Sequence, residues 1–343
     1  MTASIALIVL AVMTFIASLV PAPYVIESAG PTVDVLGEVE GTPVISVEGE
    51  QPETGSGQLR MTTVSVQGAP GKPTQLPAVF LAWFNHEKSV MPREAVYPDV
   101  NDAEGNKLMT TVQMSSSQQE AIAVALREQG IDYTTTVVVA GVRTDGPAAT
   151  LLKAGDEIIS VNGISSQSVD ELQKATAATP AGGTAEFVVK RDGKEQHISI
   201  PVAQKDGTSI VGIMLSRGYQ FPREVTIALD GIGGPSAGLM FSLGIYALMT
   251  EGDFTGGRKI AGTGTIAEDG TVGPIGGIRQ KMVGARKDGA EFFLAPAENC
   301  PEVPGHIPDG LTVVKVSTFT EAKHAVETIA RTGTADGLPT CGS

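Results

Sequence analysis

One serine and one lysine could together carry out nucleophilic catalysis. Ser236 lies in EVTIALDGIGGPSAGLMF (224–241), which predicts a strand, a glycine-rich turn and an apolar helix. A serine hydroxyl is a weak nucleophile that needs a base, and a lysine is such a base only when its pKa falls from about 10.4 to roughly 7–8. That shift costs about 4 kcal/mol, which burial in an apolar pocket provides. Lys281 lies between Ile278 and Met282 on a predicted helix, which allows such a pocket.

Simpler interpretations exist for both residues. A serine at a helix start is normally a cap, and a helical lysine is normally a solvated surface charge. The neighbouring glycines favour a catalytic role, because glycine lets the backbone approach a substrate carbonyl and a helix start offers free N–H groups to an oxyanion. We therefore predict that Gly233, Gly234, Pro235 and Ala237 surround the substrate carbonyl at Ser236.

Several motifs in order resemble the proteolytic domain of Lon-type peptidases. They are Pro235-Ser236-Ala237-Gly238, Thr263-Gly264, Pro274-Ile275-Gly276-Gly277, Gly277-Ile278-Arg279-Gln280-Lys281 and Pro296-Ala297-Glu298-Asn299. The resemblance implies that Ser236 is the nucleophile, that Lys281 is its general base and that Thr263 hydrogen-bonds the lysine. One position departs from the family, since classical Lon proteins carry an acidic residue where this chain has Gly233.

A second stretch, GPAATLLKAGDEIISVNG (146–163), resembles PDZ domains of the bacterial type, and the resemblance extends over 133–203. Such domains bind an extended peptide as an added strand at a sheet edge. We predict that edge at 135–142, with Thr136, Val137, Val138 and Val139 as the peptide-binding residues. The alternative is a spacer domain that binds nothing.

The N-terminus contains an uncharged run from Ala3 to Val20, close to the length that a helix needs to cross a bilayer. A cleaved signal peptide is the rival interpretation, but the best cut would place Pro23 directly after it. We therefore predict an uncleaved, single-pass anchor at 1–22. No Lys or Arg follows until Arg60, so we expect the catalytic part outside the cytoplasm, attached to the cell membrane.

The predicted fold class is α/β (α+β): a Lon-type proteolytic domain plus a PDZ-like, β-rich module, preceded by a transmembrane helix. The domains are the anchor (1–22), an N-terminal segment (30–130), the PDZ-like domain (133–203), the proteolytic domain (205–331) and a C-terminal tail (332–343). Whether the predicted strand 57–67 joins the peptidase sheet, which would make the PDZ unit an insertion, is open at this point.

The composition argues against several partners. A formal net charge of −14 opposes nucleic-acid binding, and the sequence has neither a GxxxxGK[ST] loop for ATP nor a Cys/His cluster for a metal. We expect no cofactor. Cys300 and Cys341 either form a disulfide that holds the tail or are two free thiols. The partners expected are polypeptide substrates, the membrane and, by resemblance to Lon domains, further copies of the chain in a homo-oligomer such as a hexamer.

The expected function is ATP-independent serine endopeptidase activity on unfolded or extended polypeptides, with the PDZ unit recruiting substrate or partner. One rival is an α/β-hydrolase, because Gly234–Gly238 fits GxSxG and Asp309 and His324 follow in the required order. The other is a membrane-tethered PDZ scaffold with a dormant peptidase fold.

Overall fold

The computed structural model describes residues 5, 7–9, 11–13, 15, 20–50, 55–97, 102–229 and 231–341. Much of the predicted anchor at 1–22 lies outside these residues. Within the described part of the chain, no helix has both the length and the apolar character that crossing a bilayer requires.

The described elements alternate between helices and strands, as the predicted mixed α/β class requires. The helices are α1 (Leu76–Trp83), α2 (Arg93–Val96), α3 (Ala103–Glu128), α4 (Val169–Ala177), α5 (Gly238–Leu248), α6 (Ile278–Lys287) and α7 (Phe319–Thr332), with a 3-10 helix at Ala297–Glu302. The strands are β1 (Pro21–Ala22), β2 (Tyr24–Asp34), β3 (Glu38–Val39), β4 (Thr42–Pro43), β5 (Ile45–Val47), β6 (Gln58–Gln67), β7 (Thr74–Gln75), β8 (Ser89–Pro92), β9 (Thr134–Val142), β10 (Glu157–Val161), β11 (Thr184–Arg191), β12 (Lys194–Pro201), β13 (Ala203–Lys205), β14 (Thr208–Ile210), β15 (Ile213–Gln220), β16 (Val225–Ile227), β17 (Lys259–Gly262), β18 (Thr265–Ile266), β19 (Val272–Gly273), β20 (Phe292–Pro296) and β21 (Thr312–Val316).

A six-stranded sheet in the order β21-β20-β17-β6-β2-β8 forms the larger unit. The first four strands are parallel, and β2 and β8 run antiparallel to their neighbours. Helices α3, α5 and α7 bury one face of the sheet, and α6 covers the other with Ile278, Met282 and Ala285. Because β2 and β6 precede the PDZ region in sequence while β17, β20 and β21 follow it, the PDZ unit is an insertion into this sheet.

The inserted unit has its own antiparallel sheet, ordered β12-β11-β10-β9-β15, with α4 packed against it. Its core includes Val139, Leu172, Phe187 and Ile200, all buried. The chain enters through β9 and leaves through β15, and these strands pair along their whole length from Thr134 opposite Gln220. The two connections to the larger unit therefore lie side by side.

The predicted peptide-binding edge at 135–142 is wrong. Strand β9 lies inside the sheet, because β15 pairs along one side and β10 on the other, where Val139 accepts a backbone hydrogen bond from Gly155 and donates one to Asp156. Val137 and Val139 are buried in the core, and Thr136 donates its hydroxyl to Glu157. With both sides occupied, Thr136, Val137, Val138 and Val139 cannot accept an added strand.

Two elements are not evident from local sequence patterns. Strand β2 (Tyr24–Asp34) lies between β6 and β8 although Pro and Gly interrupt its sequence. Helix α3 begins at Ala103, with the Asp102 carboxylate accepting a hydrogen bond from the Gly105 amide. The first turns of this helix are mainly polar, so their hydrophobic periodicity does not reveal them.

A disulfide joins Cys300 to Cys341, with the two Cα atoms 4.9 Å apart and a sequence separation of 41 residues. The chain near Cys341 also adds backbone contacts to β21, since the Lys315 amide donates to the Pro339 carbonyl. The C-terminal tail is therefore part of the larger unit rather than a free extension.

Removing this disulfide should lower stability. In the chain-entropy account, closing a loop of this length contributes about 4 kcal/mol, so we expect Cys341→Ser to lower the free energy of unfolding by up to that amount in a urea titration. Cys300→Ser should match it, and the double variant should cost no more than either single change. Two free thiols in the denatured, unreduced wild-type chain would contradict this expectation.

Candidate active site

Ser236 is held at the junction between the glycine-rich turn and α5. Its side chain is partly exposed, while its backbone carbonyl accepts two hydrogen bonds of 2.9 Å, from the Thr263 hydroxyl and from the Gly264 amide. Both donors follow β17, at the end of a central strand of the sheet. The sheet therefore fixes the position of the serine from the side opposite to solvent.

Lys281 occupies the apolar stripe of α6, together with Ile278, Met282 and Ala285 at helical spacing. Its side chain is among the largest that the fold buries completely, with 1% exposure. The Nζ atom lies 2.7 Å from Ser236 Oγ and 2.8 Å from Thr263 Oγ1. Three residues that the sequence brought forward for catalysis thus meet at hydrogen-bonding distance.

Burial lowers the pKa of the Lys281 amine to about 7, because the charged form loses its hydration without gaining a close ion pair. The negative charge of Glu27 acts in the opposite direction and raises this pKa. A value near 7 leaves a substantial neutral fraction at neutral pH. The amine is thereby suited to accept a proton, as a general base must.

The hydrogen-bond directions favour proton transfer from serine to lysine. Thr263 donates its O–H to the Ser236 carbonyl, so its oxygen accepts an N–H from the amine. This fixes the amine and leaves the lone pair of neutral Lys281 free for the O–H of Ser236 at 2.7 Å. The arrangement can activate a hydroxyl for attack on a carbonyl carbon.

Glu27 is a site residue that sequence reasoning missed. It lies on β2 with 7% exposure, near the start of α6, where a Cβ at Gly277 would lie 3.3 Å from its Oε2. Burial raises the pKa of its carboxyl, and the positive charge of Lys281 opposes that rise. The available signal was a lone glutamate after Tyr-Val-Ile, but only the recognition of β2 as a core strand would have made it meaningful.

The four predicted neighbours of Ser236 have different surroundings. Gly233 is exposed, and a Cβ there would lie 2.3 Å from Thr110 Cγ2 on α3, so the acidic residue of classical Lon proteins has no room at this position. Gly234 has φ +86° and donates its amide to the Thr110 carbonyl. The Pro235 carbonyl accepts from Ser117 Oγ at 2.9 Å, and Ala237 is buried. Helix α3 therefore shapes this turn.

A cleft of about 250 Å³ opens beside Ser236. It is lined by the glycine-rich turn, by Met114 and by Thr62–Ser65 of β6. Among the described strands, β17 pairs with β6 only as far as Met61, so the outer side of Thr62–Gln67 has no strand beside it. An extended polypeptide could align there next to the serine.

The α/β-hydrolase alternative lacks the required contacts. Asp309 and His324 are both exposed, and the Ser236 hydroxyl contacts Lys281 rather than a histidine. A metal centre is also without support, since no group of His, Cys, Asp or Glu side chains in the described part of the chain could hold an ion.

The inserted unit presents a groove between α4 and the beginning of β15. Its volume is about 460 Å³, and its lining includes Gln173, Lys174 and Ala177 of the helix and the run Ile210–Leu215. Strand β15 is the edge strand on this side of the sheet. Here Gly212 has φ +78° and approaches Gly146 closely, which gives the segment a sharp turn. A strand edge beside the helix therefore lies at β15 rather than at 135–142.

Comparisons with known proteins match both units. A family model described as the Lon protease (S16) C-terminal proteolytic domain matches residues 229–328, and a PDZ domain model matches residues 111–202. The Lon protease of Rickettsia felis is 38% identical over 97 residues, covering 27% of this chain and 12% of that protein. Lon protease 2 of Bacillus subtilis is 36% identical over 90 residues, covering 26% and 16%. The PDZ domain of an SdrC-like protein of Listeria monocytogenes is 32% identical, covers 23% of this chain and 86% of that one, and has a TM-score of 0.22.

These matches define a class of chain in which a PDZ domain accompanies a Lon-type proteolytic domain. The chain accordingly combines a PDZ domain with a domain similar to the proteolytic domain of Lon proteases. The chain spans only the stated 12% and 16% of the two Lon proteases, so nothing about the remainder of those proteins transfers to it.

The charge of Glu27 should set the pH at which the site becomes active. In the general-base role that the sequence predicts for Lys281, the neutral amine is the reactive form, so labelling of Ser236 by a serine-reactive phosphonate should rise with pH through about 7. Because ionised Glu27 raises the pKa of Lys281, Glu27→Gln should shift this rise to lower pH. Glu298→Gln, which removes an equal charge from an exposed position, should leave the profile in place. A profile that is unmoved in Glu27→Gln, or moved equally in both variants, would contradict the assignment.

Proposed function

We propose that the protein is an ATP-independent serine endopeptidase in which Ser236 is the nucleophile and Lys281 the general base. The observation that carries this proposal is the 2.7 Å contact between the serine hydroxyl and a fully buried amine. Burial of a lysine without a close counter-ion is unfavourable, and such perturbed groups are found preferentially at functional sites. Thr263 acts as a positioning residue that orients the amine through its own hydroxyl.

The reaction follows from these roles. Ser236 Oγ attacks the peptide carbonyl carbon while its proton passes to Lys281 Nζ, giving a tetrahedral oxyanion that backbone N–H groups of the turn and helix start stabilise. The protonated amine gives that proton to the leaving nitrogen, the C–N bond breaks, and an acyl-serine ester remains. A water molecule then attacks the ester and loses a proton to Lys281, which returns it to Ser236 Oγ as the carboxylic acid leaves.

Extended polypeptides are the proposed substrates. The free side of β6 at Thr62–Gln67 borders the cleft, so a substrate strand aligned there would carry its scissile bond past Ser236. The sequence contains no GxxxxGK[ST] motif, and without nucleotide-driven unfolding the substrate must arrive unfolded or loosely structured. The chemistry needs no cofactor.

We further propose that the groove between α4 and β15 binds the end of a polypeptide chain, with the peptide added as a strand on β15 and its carboxylate held by backbone N–H groups near Gly212. A bound segment would tether a substrate or partner close to the peptidase cleft. Cleavage would become faster because tethering raises the effective concentration of substrate at the cleft, and not because new contacts form at Ser236.

We place the protein at the cell membrane, tethered by the uncharged run at 3–20, with its catalytic part outside the cytoplasm. Two observations support this placement: the length of the run without charge, and the Cys300–Cys341 disulfide, a bond that persists mainly in oxidising compartments. Resemblance to Lon domains also leads us to propose that the chain forms a homo-oligomer such as a hexamer.

Loss of either catalytic group should abolish covalent labelling by a fluorophosphonate. Ser236→Ala should show no labelling, and Lys281→Ala should lower the labelling rate by roughly a hundredfold or more, because general-base catalysis is lost. Lys287→Ala is the matched control, since it removes an exposed lysine from the same helix. A wild-type chain that neither reacts nor cleaves casein would favour the alternative, a membrane-tethered PDZ scaffold with a dormant peptidase fold.

Filling the PDZ groove should impair cleavage of an unfolded protein but not cleavage of a short peptide. Ala177 is exposed in the groove, so Ala177→Trp should block it and lower kcat/KM for an unfolded protein by about tenfold, the equivalent of about 1.4 kcal/mol. Cleavage of a short fluorogenic peptide should be unchanged. Ala178→Trp places the same ring on an exposed neighbour that does not line the groove. Equal losses for protein and peptide would contradict the recruiting role.

A further inference from the structure

Helix α1 has two unlike faces, and its outer face is apolar. Val79 and Ala82 are buried against Ala22 and Ile26. The opposite side and the helix end carry large apolar side chains that are 39–72% exposed, and we call them the α1 patch: Leu76, Phe80, Leu81, Trp83 and Phe84. No residue of Leu76–Trp83 is charged. Contiguous exposed apolar surface of this kind marks an interaction site.

The α1 patch lies where the N-terminal run joins the fold. Strand β1 pairs with β7 so that Pro21 is opposite Gln75, the residue directly before α1. Ala22 is 1% exposed, and Arg93 donates a side-chain hydrogen bond of 2.8 Å to its carbonyl. The chain is thus fixed to the base of α1 within two residues of Val20. Since a residue spans at most about 3.6 Å, the end of the uncharged run cannot lie far from the patch.

This junction points to a lipid surface as the occupant. We propose that the α1 patch inserts into the boundary between headgroups and acyl chains of the membrane that holds the 3–20 run. Aromatic rings are favoured at that depth, and the exposed Lys72 and Lys88 on either side of α1 can extend toward the headgroups. With a net charge of −14, the chain has no general attraction to anionic lipid, so apolar contact must supply the binding.

The inference rests on the membrane tether proposed above, and the chain carries its own reporter for it. Trp83 is the single tryptophan of the sequence, with 61% exposure. The full chain is reconstituted into phosphatidylcholine vesicles and recovered by flotation. We expect Trp83 fluorescence to be shielded from aqueous iodide. Lipids brominated near the glycerol end of the acyl chain should quench it roughly twofold more strongly than lipids brominated near the methyl end.

Variants that keep Trp83 test whether the patch itself holds the ring in lipid. Phe80→Ser with Phe84→Ser should lower quenching by bromolipid to about half, because insertion scales with the apolar area buried. Ile164→Ser with Ile307→Ser removes exposed apolar side chains elsewhere and should leave quenching unchanged. Labelling of Ser236 at the wild-type rate in the same vesicles would show that each variant is folded. The same measurement tests the peptidase proposal independently of membrane insertion.

The other outcomes are distinguishable. A chain that floats while Trp83 stays open to iodide and unquenched by lipid overturns the insertion but keeps the tether. Shielding from iodide without quenching by bromolipid, lost when the protein is diluted in the vesicles, would show that a second copy covers the patch instead. Unchanged quenching in the Phe80 and Phe84 double variant would also contradict the proposal. A chain that fails to float overturns both the tether and the insertion.

Discussion

The burial of one amine constrains the rest of the proteolytic unit. Lys281 lies among apolar residues in the inward stripe of α6, so its charged form loses hydration on folding. Since its pKa falls to about 7 in the folded chain, the unfolded chain binds more protons between that pH and about 10.4. Below the folded pKa this lysine destabilises the fold by an amount on the order of 4 kcal/mol, and the deficit disappears as the pH rises through the interval. Packing of the sheet against α3, α5, α6 and α7 must offset it.

Helix α3 links this site to the inserted domain. Near its start, Asp102 forms an ion pair of 2.5 Å with Arg143, a residue that borders the PDZ groove. Further along, the Thr110 carbonyl accepts a hydrogen bond from the Gly234 amide, and the Ser117 hydroxyl donates one to the Pro235 carbonyl. One continuous helix therefore contacts both the border of the groove and the turn before Ser236. The space that Thr110 takes at Gly233 also gives a physical reason for the departure from classical Lon proteins.

The sequence was most informative where local motifs determine geometry. Thr263 follows a central strand and Lys281 occupies a helical stripe, so short segments sufficed to single them out, and the structure brings both to Ser236. The sequence did not reveal Glu27 and predicted the wrong PDZ edge, because both depend on contacts between segments that are distant in the chain. The alternation of buried Val137 and Val139 indicates a strand, but it does not say which strands lie beside it. That depends on β15, distant in sequence, and the role of Glu27 likewise depends on β2 joining the core sheet.

The insertion of the PDZ domain has a topological consequence. Its two connections to the proteolytic unit begin at paired positions, Thr134 and Gln220, so the ends of the excised segment already lie across a strand pair from each other. A short reverse turn in place of the whole module would leave α3 and β16 where they are. In contrast, a cut within the module would place β2, β6 and β8 on one polypeptide and β17, β20 and β21 on another, so the central sheet would have to assemble from two chains. Exchange of the whole module thus leaves the core sheet on one polypeptide, whereas fission of the gene at the module does not.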